Sequence, residues 1–168
     1  FKRFDLLLKS FSMFKNKKVK IKVIGGGFEE KNMKELAKNL GVDKDVEFAG
    51  KISDRNKLAE EYKKAWCTVI TSDCGESFSL AAIESLACGC PIVTSDIPGV
   101  RGRVIDGENG FLFKSGSVYS LTTKLSKMLD LSLQDRKEML FKCRQEVEQK
   151  YSWDRHAEKL IKVYQSVV

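Results

Sequence analysis

Two glutamates, Glu76 and Glu84, lie at and just beyond the predicted start of a helix, with seven residues between them. The N–H groups at a helix start attract anions such as phosphate, and ionised carboxylates accept hydrogen bonds from hydroxyl groups. Both properties together suit a nucleotide sugar, which carries a diphosphate and several hydroxyls. The alternative is that both acids are ordinary residues of the first helical turn, where the helix dipole favours them.

Two further loops follow predicted strands. In the first, Gly25, Gly26 and Gly27 allow a tight turn and the close approach of a ligand to the backbone, although a plain turn fits them equally well. Glu30 stands where a dinucleotide-binding fingerprint requires a further glycine, so a nicotinamide cofactor is disfavoured. The second loop, 95–101, contains a Pro-Gly turn that could form the wall of a pocket.

The sequence contains few candidate metal ligands. Asp43 and Asp45 form an Asp-x-Asp pair, but they lie in a predicted turn, where carboxylates are usually solvated. Cys88 and Cys90 flank one glycine without the second pair of ligands that a zinc site needs. His156, the one histidine, is expected at the surface of a terminal helix or in its packing. We therefore predict no metal and no cofactor.

The composition is that of one globular domain. The chain has 168 residues, of which 42% are hydrophobic and 32% charged, and a chain of this length can bury a sizeable core without disulfides or a metal. Its five cysteines are an odd number within apolar segments, which favours reduced thiols and a cytoplasmic location. No segment has the pattern of a transmembrane helix or a signal peptide.

The chain is basic, since 30 Lys and Arg residues against 23 Asp and Glu residues give a net charge of +7. Such a charge favours anionic partners. Lysines between residues 15 and 22 alternate with apolar residues, a pattern typical of a half-exposed strand. A solvated strand face is the simpler interpretation, and a peripheral contact with the inner face of a membrane is the alternative. Nothing resembles a nucleic-acid-binding module, so we predict no nucleic-acid partner.

Apolar residues recur with period two in some segments and with a helical period in others, and the two kinds of segment alternate along the first two thirds of the chain. The predicted strands span residues 19–24, 46–48, 67–71, 92–94 and 111–113. Helices are predicted between them, one opened by Ser53 or Asp54 and another over 80–87. The chain after Ser117 is predicted to be helical, with a last helix capped by Ser152.

Alternating strands and helices form parallel β-α-β units with right-handed crossovers. The sequence therefore predicts the α/β class, with one doubly wound parallel sheet of the Rossmann-like type. Ligands of such sheets bind beyond the carboxyl ends of the strands. Because a parallel unit usually starts with a strand and this sequence starts with a helix, we expect it to be a fragment of a longer protein that supplies the first strand.

The run GESFSLAAIESLACGCPIVTSDIPGVRGRVIDGENGFLF, residues 75–113, resembles the donor-binding segment of retaining glycosyltransferases of family 4, which have the two-domain GT-B fold. Outside it, KRFDLLLKSF is similar to the helix after that family's phosphate-binding lysine and VIGGG to its glycine loop. FAGKIS is similar to the base-contacting turn and YSWDRHAEKLIKVY to the terminal helix. The resemblance covers nearly the whole chain, so residues 1–168 are expected to form a single nucleotide-sugar-binding domain.

The resemblance implies roles for individual residues. Lys2 takes the position of a lysine on the donor diphosphate, Glu76 that of a carboxylate on donor-sugar hydroxyls, and Glu84 that of a carboxylate on the ribose. Lys51 and Ile52 would flank the base. Further donor contacts are implied for the glycine loop and for the backbone at the helix start, namely Gly25, Gly27, Ser77, Phe78, Ser79 and Leu80.

The implied activity is transfer of a hexosyl group from a UDP-, GDP- or similar nucleotide sugar to an acceptor, with retention and without a metal. The family's second phosphate-binding residue, an arginine before the lysine, and its amino-terminal acceptor domain have no counterpart in residues 1–168. We therefore expect the donor and the protein's own amino-terminal domain as partners, and no turnover by this chain alone. A non-catalytic nucleotide-binding module and a nucleotide-sugar epimerase are the alternatives.

Overall fold

The computed structural model describes residues 2–14 and 19–167. Its strands are β1 (Ile21–Ile24), β2 (Val46–Gly50), β3 (Thr68–Ile70), β4 (Ile92–Ser95) and β5 (Gly110–Phe113). Its helices are α1 (Phe4–Phe11), α2 (Glu30–Asn39), α3 (Arg55–Lys64), α4 (Leu80–Ala87), α5 (Val118–Leu129), α6 (Leu133–Lys150) and α7 (Trp153–Gln165), and a short 3-10 turn spans Asp43–Asp45.

The strands form two parallel ladders. β1 pairs with β2, with Ile21 opposite Val46. β4 lies between β3 and β5, so Val93 is opposite Val69 on one side and Phe111 on the other. The parallel α/β class is confirmed. The expected single sheet is divided into two ladders, because no strand in the described part of the chain pairs with both β1 and β3.

Helices cover the strands in two groups. α1 contacts α2 and α5, and α5 also packs on β4 and β5, whereas α4 contacts α3 and α6 and packs on β3 and β4. Because helices of both groups pack on β4, all four residues of Ile92–Ser95 are buried. Burial on both faces is characteristic of a central strand in a parallel sheet.

Helix α1 joins the two ladders. Leu6 and Leu7 lie in the large core beneath β4 and β5, whereas Leu8 lies in a smaller core with Ala37 of α2 and Val46 of β2. All three leucines are buried, and each contributes about 1.5–3 kcal/mol by leaving water. The start of α1, where Lys2 and Arg3 lie, is therefore fixed relative to both halves of the domain.

The element boundaries agree closely with the sequence predictions. Helix 80–87 coincides with α4, and Asp54 and Ser152 cap α3 and α7 by accepting hydrogen bonds from backbone N–H groups. β1 begins at Ile21, later than the predicted residue 19. Of the basic cluster, Lys20 and Lys22 are exposed, as a solvated strand face requires; the others, Lys15, Lys17 and Lys18, lie outside the described residues.

The apolar face of α7 does not form the packed face that its periodicity suggests. No described residue of Trp153–Gln165 is buried; Trp153 is 85% exposed and Tyr164 65%. The periodicity is present, but every residue of Trp153–Gln165 is exposed. Among the described helices, none has both the length and the apolar composition that crossing a membrane requires.

Candidate functional site

The loop between β3 and α4, residues 71–79, lies at the carboxyl end of a parallel strand. Gly75 and Ser79 have φ values of 73° and 50°, both in the left-handed region. A left-handed backbone is uncommon for a residue other than glycine, and buried Ser79 adopts it immediately before α4 begins at Leu80. The first N–H groups of a helix have no partner within the helix, so the loop ends in potential hydrogen-bond donors.

Glu76 lies within this β3–α4 loop and its side chain is only 9% exposed. Lys2 Nζ donates a hydrogen bond to Glu76 Oε1 and forms an ion pair with it, and Ser72 Oγ donates to the same oxygen at 2.9 Å. Burial raises the pKa of Glu76, but hydrogen bonds from Lys2, Ser72 and Ser79 outweigh it, so the pKa lies below its usual value of 4.5. Glu76 is therefore an ionised, oriented hydrogen-bond acceptor at neutral pH.

Lys2 reaches Glu76 from the residues that precede α1. Its backbone carbonyl accepts a hydrogen bond from Thr71 Oγ1 at 2.7 Å, which places it at the end of β3. Its side chain is 65% exposed. Because an ammonium group has three N–H donors, Lys2 can hold Glu76 and also donate to an anion on its solvent side.

Arg3 makes a second link between α1 and the β3–α4 loop. Its Nη1 donates to Asp73 Oδ2 at 3.0 Å, and its Nε donates to Asp5 Oδ1 at 3.0 Å. These hydrogen bonds raise the pKa of Arg3, and the bond from Arg3 is the main reason that the pKa of Asp73 lies below its usual value. Two consecutive basic residues therefore bind two acids of one loop.

Glu84 lies in the second turn of α4 and is exposed. Its Oε2 accepts a hydrogen bond from Tyr62 of α3 at 3.4 Å. Burial raises the pKa of Tyr62, and the charge of Glu84 raises it further. Neither Glu76 nor Glu84 lies in the first turn of α4. The interpretation of both as first-turn acids favoured by the helix dipole is therefore wrong.

The loop after β4 packs against the β3–α4 loop. The Arg103 guanidinium lies 4.2 Å from the centre of the Phe78 ring and donates to the carbonyl of Gly99 at 3.0 Å. Phe78 also meets Tyr151 edge to face, with ring centres 6.1 Å apart. The sequence analysis limited the loop after β4 to residues 95–101 and therefore missed Arg103, because no local sequence pattern indicates the contact of Arg103 with Phe78.

The glycine loop and the turn after β2 adjoin each other. The N–H of Gly25 donates to the carbonyl of Gly50 at 2.8 Å, and the φ of 118° at Gly25 requires glycine. Gly27 has no such requirement, since a methyl group there would meet nothing within 4 Å. Lys51 is exposed and Ile52 half-buried just beyond the end of β2. The contact between α3 and α4, described above, links this region to the β3–α4 loop.

Candidate metal ligands remain scattered. Within residues 2–14 and 19–167, no three His, Cys, Asp or Glu side chains are grouped as a metal site would require. Asp43 and Asp45 are exposed in the 3-10 turn, and Cys88 and Cys90 are free thiols. His156 is exposed and packs edge to face with Trp153, which confirms its predicted surface position.

Two cavities of about 260 and 210 Å³ lie away from these loops. The first is lined by the beginnings of β1 and β2, and the second lies between Phe111, α5 and α6. Neither is lined by a residue predicted to bind the donor, and Asp45 of the Asp-x-Asp pair lines the first. The β3–α4 loop lines neither of these two cavities.

Parallel strands, covering helices and a polar loop at a strand end define a Rossmann-like α/β domain. Comparison with known proteins specifies the family, since residues 1–146 match the family described as glycosyl transferases group 1. The chain belongs to this family and is a group 1 glycosyltransferase domain.

Individual relatives agree with this assignment. The chain is 31% identical over 140 residues to the D-inositol 3-phosphate glycosyltransferase of Acidothermus cellulolyticus, a match that covers 83% of this chain and 30% of that protein. It is 32% identical over 133 residues to an uncharacterized glycosyltransferase of Haemophilus influenzae, covering 77% and 36%. The chain thus spans about a third of the length of these relatives.

Solved structures share the fold. Sucrose-phosphate synthase from Thermosynechococcus elongatus superposes with a TM-score of 0.87 at 24% identity, covering 99% of this chain and 42% of that one. Anabaena Alr3699/HepE in complex with UDP-glucose superposes with a TM-score of 0.85 at 20% identity, covering 98% and 45%. The fold is the Rossmann-like carboxy-terminal half of the GT-B architecture.

Proposed function

We propose that this domain binds the nucleotide-sugar donor of a retaining, metal-independent glycosyltransferase across the β3–α4 loop. The ion pair between Lys2 and Glu76 carries this proposal, because it places a cation suited to a diphosphate beside an ionised carboxylate suited to sugar hydroxyls. Membership of the group 1 family supports it, as does a structural neighbour crystallised with UDP-glucose.

Glycosyl transfer breaks the bond between the sugar's anomeric carbon and a diphosphate oxygen and forms a bond to an acceptor oxygen. The departing nucleoside diphosphate gains negative charge. Lys2 and the backbone N–H groups of residues 77–80 would stabilise this charge in the transition state, since fixed donors act most strongly where charge develops. In this proposal these groups perform the role that a metal ion performs in other transferases.

The other parts of the donor, namely its sugar, ribose and base, are proposed to contact different residues. Glu76 accepts from hydroxyls of the donor sugar while Lys2 and Ser72 remain bound to its Oε1, since an ionised carboxylate has about four acceptor positions on its two oxygens. Glu84 is exposed on the adjacent turn of α4 and accepts from the ribose. Lys51 and Ile52 flank the base, and Gly25 and Gly27 allow the backbone to approach the ligand closely.

The complete protein is proposed to act as a hexosyltransferase with an amino-terminal acceptor domain, consistent with relatives about three times as long. The complete protein would also supply a further strand of this domain, placed between β1 and β3. The two described ladders leave those strands unpaired with one another, and α1 packs across both ladders. A cytoplasmic location, with a peripheral contact of the basic surface at a membrane, belongs to the same proposal.

Titration calorimetry on the 168-residue chain tests donor binding with UDP, GDP, UDP-glucose and GDP-mannose. We expect one base to be preferred and the sugar to add affinity. Glu84→Ala should weaken the nucleotide and the nucleotide sugar equally, about tenfold, because the ribose is common to both. Glu76→Gln should reduce only the additional affinity that the nucleotide sugar has over the nucleotide.

Glu148→Gln on α6 is the matched control, because it neutralises an exposed, paired glutamate outside the β3–α4 loop. No binding of any of these compounds at millimolar concentration, by protein with a cooperative thermal transition, would refute donor binding and favour a non-catalytic module. A free sugar epimer released by the complete protein, without an acceptor, would instead identify an epimerase.

A further inference from the structure

Arg3 has an unusual backbone conformation at the start of α1. Its φ of 47° and ψ of 43° lie in the left-handed region, which among the described residues other than glycine only Ser79 shares. Strained conformations of this kind persist only where the surrounding contacts hold them. The side chain of Arg3 makes no helix-capping hydrogen bond, so capping of α1 does not account for it.

The contacts of the Arg3 side chain account for it instead. The guanidinium binds Asp5 through Nε at 3.0 Å and Nη2 at 3.4 Å, and Asp73 through Nη1 at 3.0 Å. Asp5 is itself held by Lys9 one helical turn later, at 3.0 Å. The planar guanidinium can serve two carboxylates in fixed directions at once, and one of these two lies on α1 and the other on the β3–α4 loop.

The left-handed backbone also explains how Lys2 and Arg3 can bind the same loop. In an extended segment, neighbouring side chains point in opposite directions. The turn at Arg3 interrupts that alternation, so Lys2 pairs with Glu76 while Arg3 pairs with Asp73, three residues earlier in the loop. The two ion pairs therefore fix the loop to the start of α1 at two points.

We propose that Arg3 is a positioning residue of the donor site, which holds the β3–α4 loop against α1 so that Lys2 and Glu76 keep the spacing that a nucleotide sugar requires. This inference rests on the proposed donor binding. Arg3 needs no contact with the donor for this role. Since the Arg3 and Asp73 side chains are 37% and 30% exposed, their ion pair contributes little to global stability, and its effect is local order of the loop.

Arg3→Gly tests the proposal, because glycine tolerates the left-handed backbone while the substitution removes the guanidinium together with the rest of the side chain. Asp73→Asn weakens the same link from the loop side, and Arg3→Lys retains the charge without the planar fork. Arg144→Ala is the control, since it removes an exposed arginine–glutamate pair at 2.7 Å on α6. Two readouts are needed: nucleotide-sugar affinity, and hydrogen exchange of the amides of residues 73–79.

We expect Arg3→Gly and Asp73→Asn to weaken nucleotide-sugar binding about tenfold and to speed exchange at residues 73–79 about tenfold, with exchange in α6 unchanged. Arg3→Lys should recover part of both effects. Unchanged exchange and affinity in Arg3→Gly, or equal losses in Arg144→Ala, would overturn the proposal. Absence of nucleotide binding by the unmodified chain would refute the donor site alone, because the exchange measurement still decides whether Arg3 orders the loop.

Discussion

Gly99 and Glu76 are in direct backbone contact, although 23 positions separate them in the sequence. A methyl group on Gly99 would lie 1.6 Å from the carbonyl oxygen of Glu76 and 2.9 Å from its Cβ atom. No rearrangement of a flexible side chain can relieve such an overlap, because the opposing atoms belong mainly to the backbone. The close contact between the Pro-Gly turn after β4 and the β3–α4 loop therefore fixes the position of the Glu76 backbone, and with it that of the Glu76 carboxylate.

Gly99→Ala is expected to displace the β3–α4 loop and to weaken nucleotide-sugar binding at least tenfold. The overlap should also lower the free energy of unfolding by about 1–3 kcal/mol, as overpacking generally does. Calorimetric titration and urea denaturation measure the two effects. Gly26→Ala is the control for stability, since its methyl group would meet its nearest neighbour at an ordinary 3.5 Å; equal stabilities of the two variants would contradict the prediction.

Stability should fall below about pH 4.5. The pKa of Glu76 lies below its usual 4.5, and those of Asp5 and Asp73 lie below their usual 3.8. A carboxyl group with a lowered pKa binds fewer protons folded than unfolded, so its contribution is complete above its unfolded pKa and lost as the pH falls through its folded pKa. Urea denaturation from pH 7 to pH 3 should show this loss, with a shallower decline in Glu76→Gln, which lacks the most buried of these three carboxyl groups; a decline of the same steepness in that variant would contradict the assignment.

Alkylation should report on the β3–α4 loop through Cys74. Cys74 is exposed beside Asp73, whose hydrogen bond is the main cause of its raised pKa. Cys143 is fully buried, and burial raises its pKa to about 12. Iodoacetamide at pH 8.5 should therefore modify Cys74 first and Cys143 only after unfolding. A saturating nucleotide sugar should slow labelling of Cys74 at least fivefold, measured by mass spectrometry, and an unchanged rate would place the ligand elsewhere.

Removal of residues 153–168 is expected to change the free energy of unfolding by less than about 1 kcal/mol, because no described residue of α7 is buried. Leu8→Ala provides the contrast, since Leu8 is fully buried and its truncation should cost about 2–5 kcal/mol. Thermal or urea denaturation compares the two variants. A loss in the truncated chain as large as that of Leu8→Ala would show that α7 packs against the domain in solution.

Local chemistry in the sequence predicted the elements well. Helix 80–87 and the caps Asp54 and Ser152 follow from propensity, periodicity and hydrogen-bonding side chains within a few residues of each other. The exposure of α7 could not be predicted from the sequence, because an apolar periodicity shows that a helix has an apolar face but does not show which element covers that face. The division of the sheet into two ladders could not be predicted either, because it depends on which strands pair with one another.

The sequence by itself determined the parallel α/β class, the loops at the strand ends and the acidic character of the candidate site, because these depend on residue types at short spacing. Only the tertiary structure decided that Arg3 binds Asp73, that Gly99 contacts Glu76 and that Arg103 stacks on Phe78. Each of these contacts joins residues that the chain separates by more than twenty positions. Their energies depend on distances that are set only when the helices have packed on the strands.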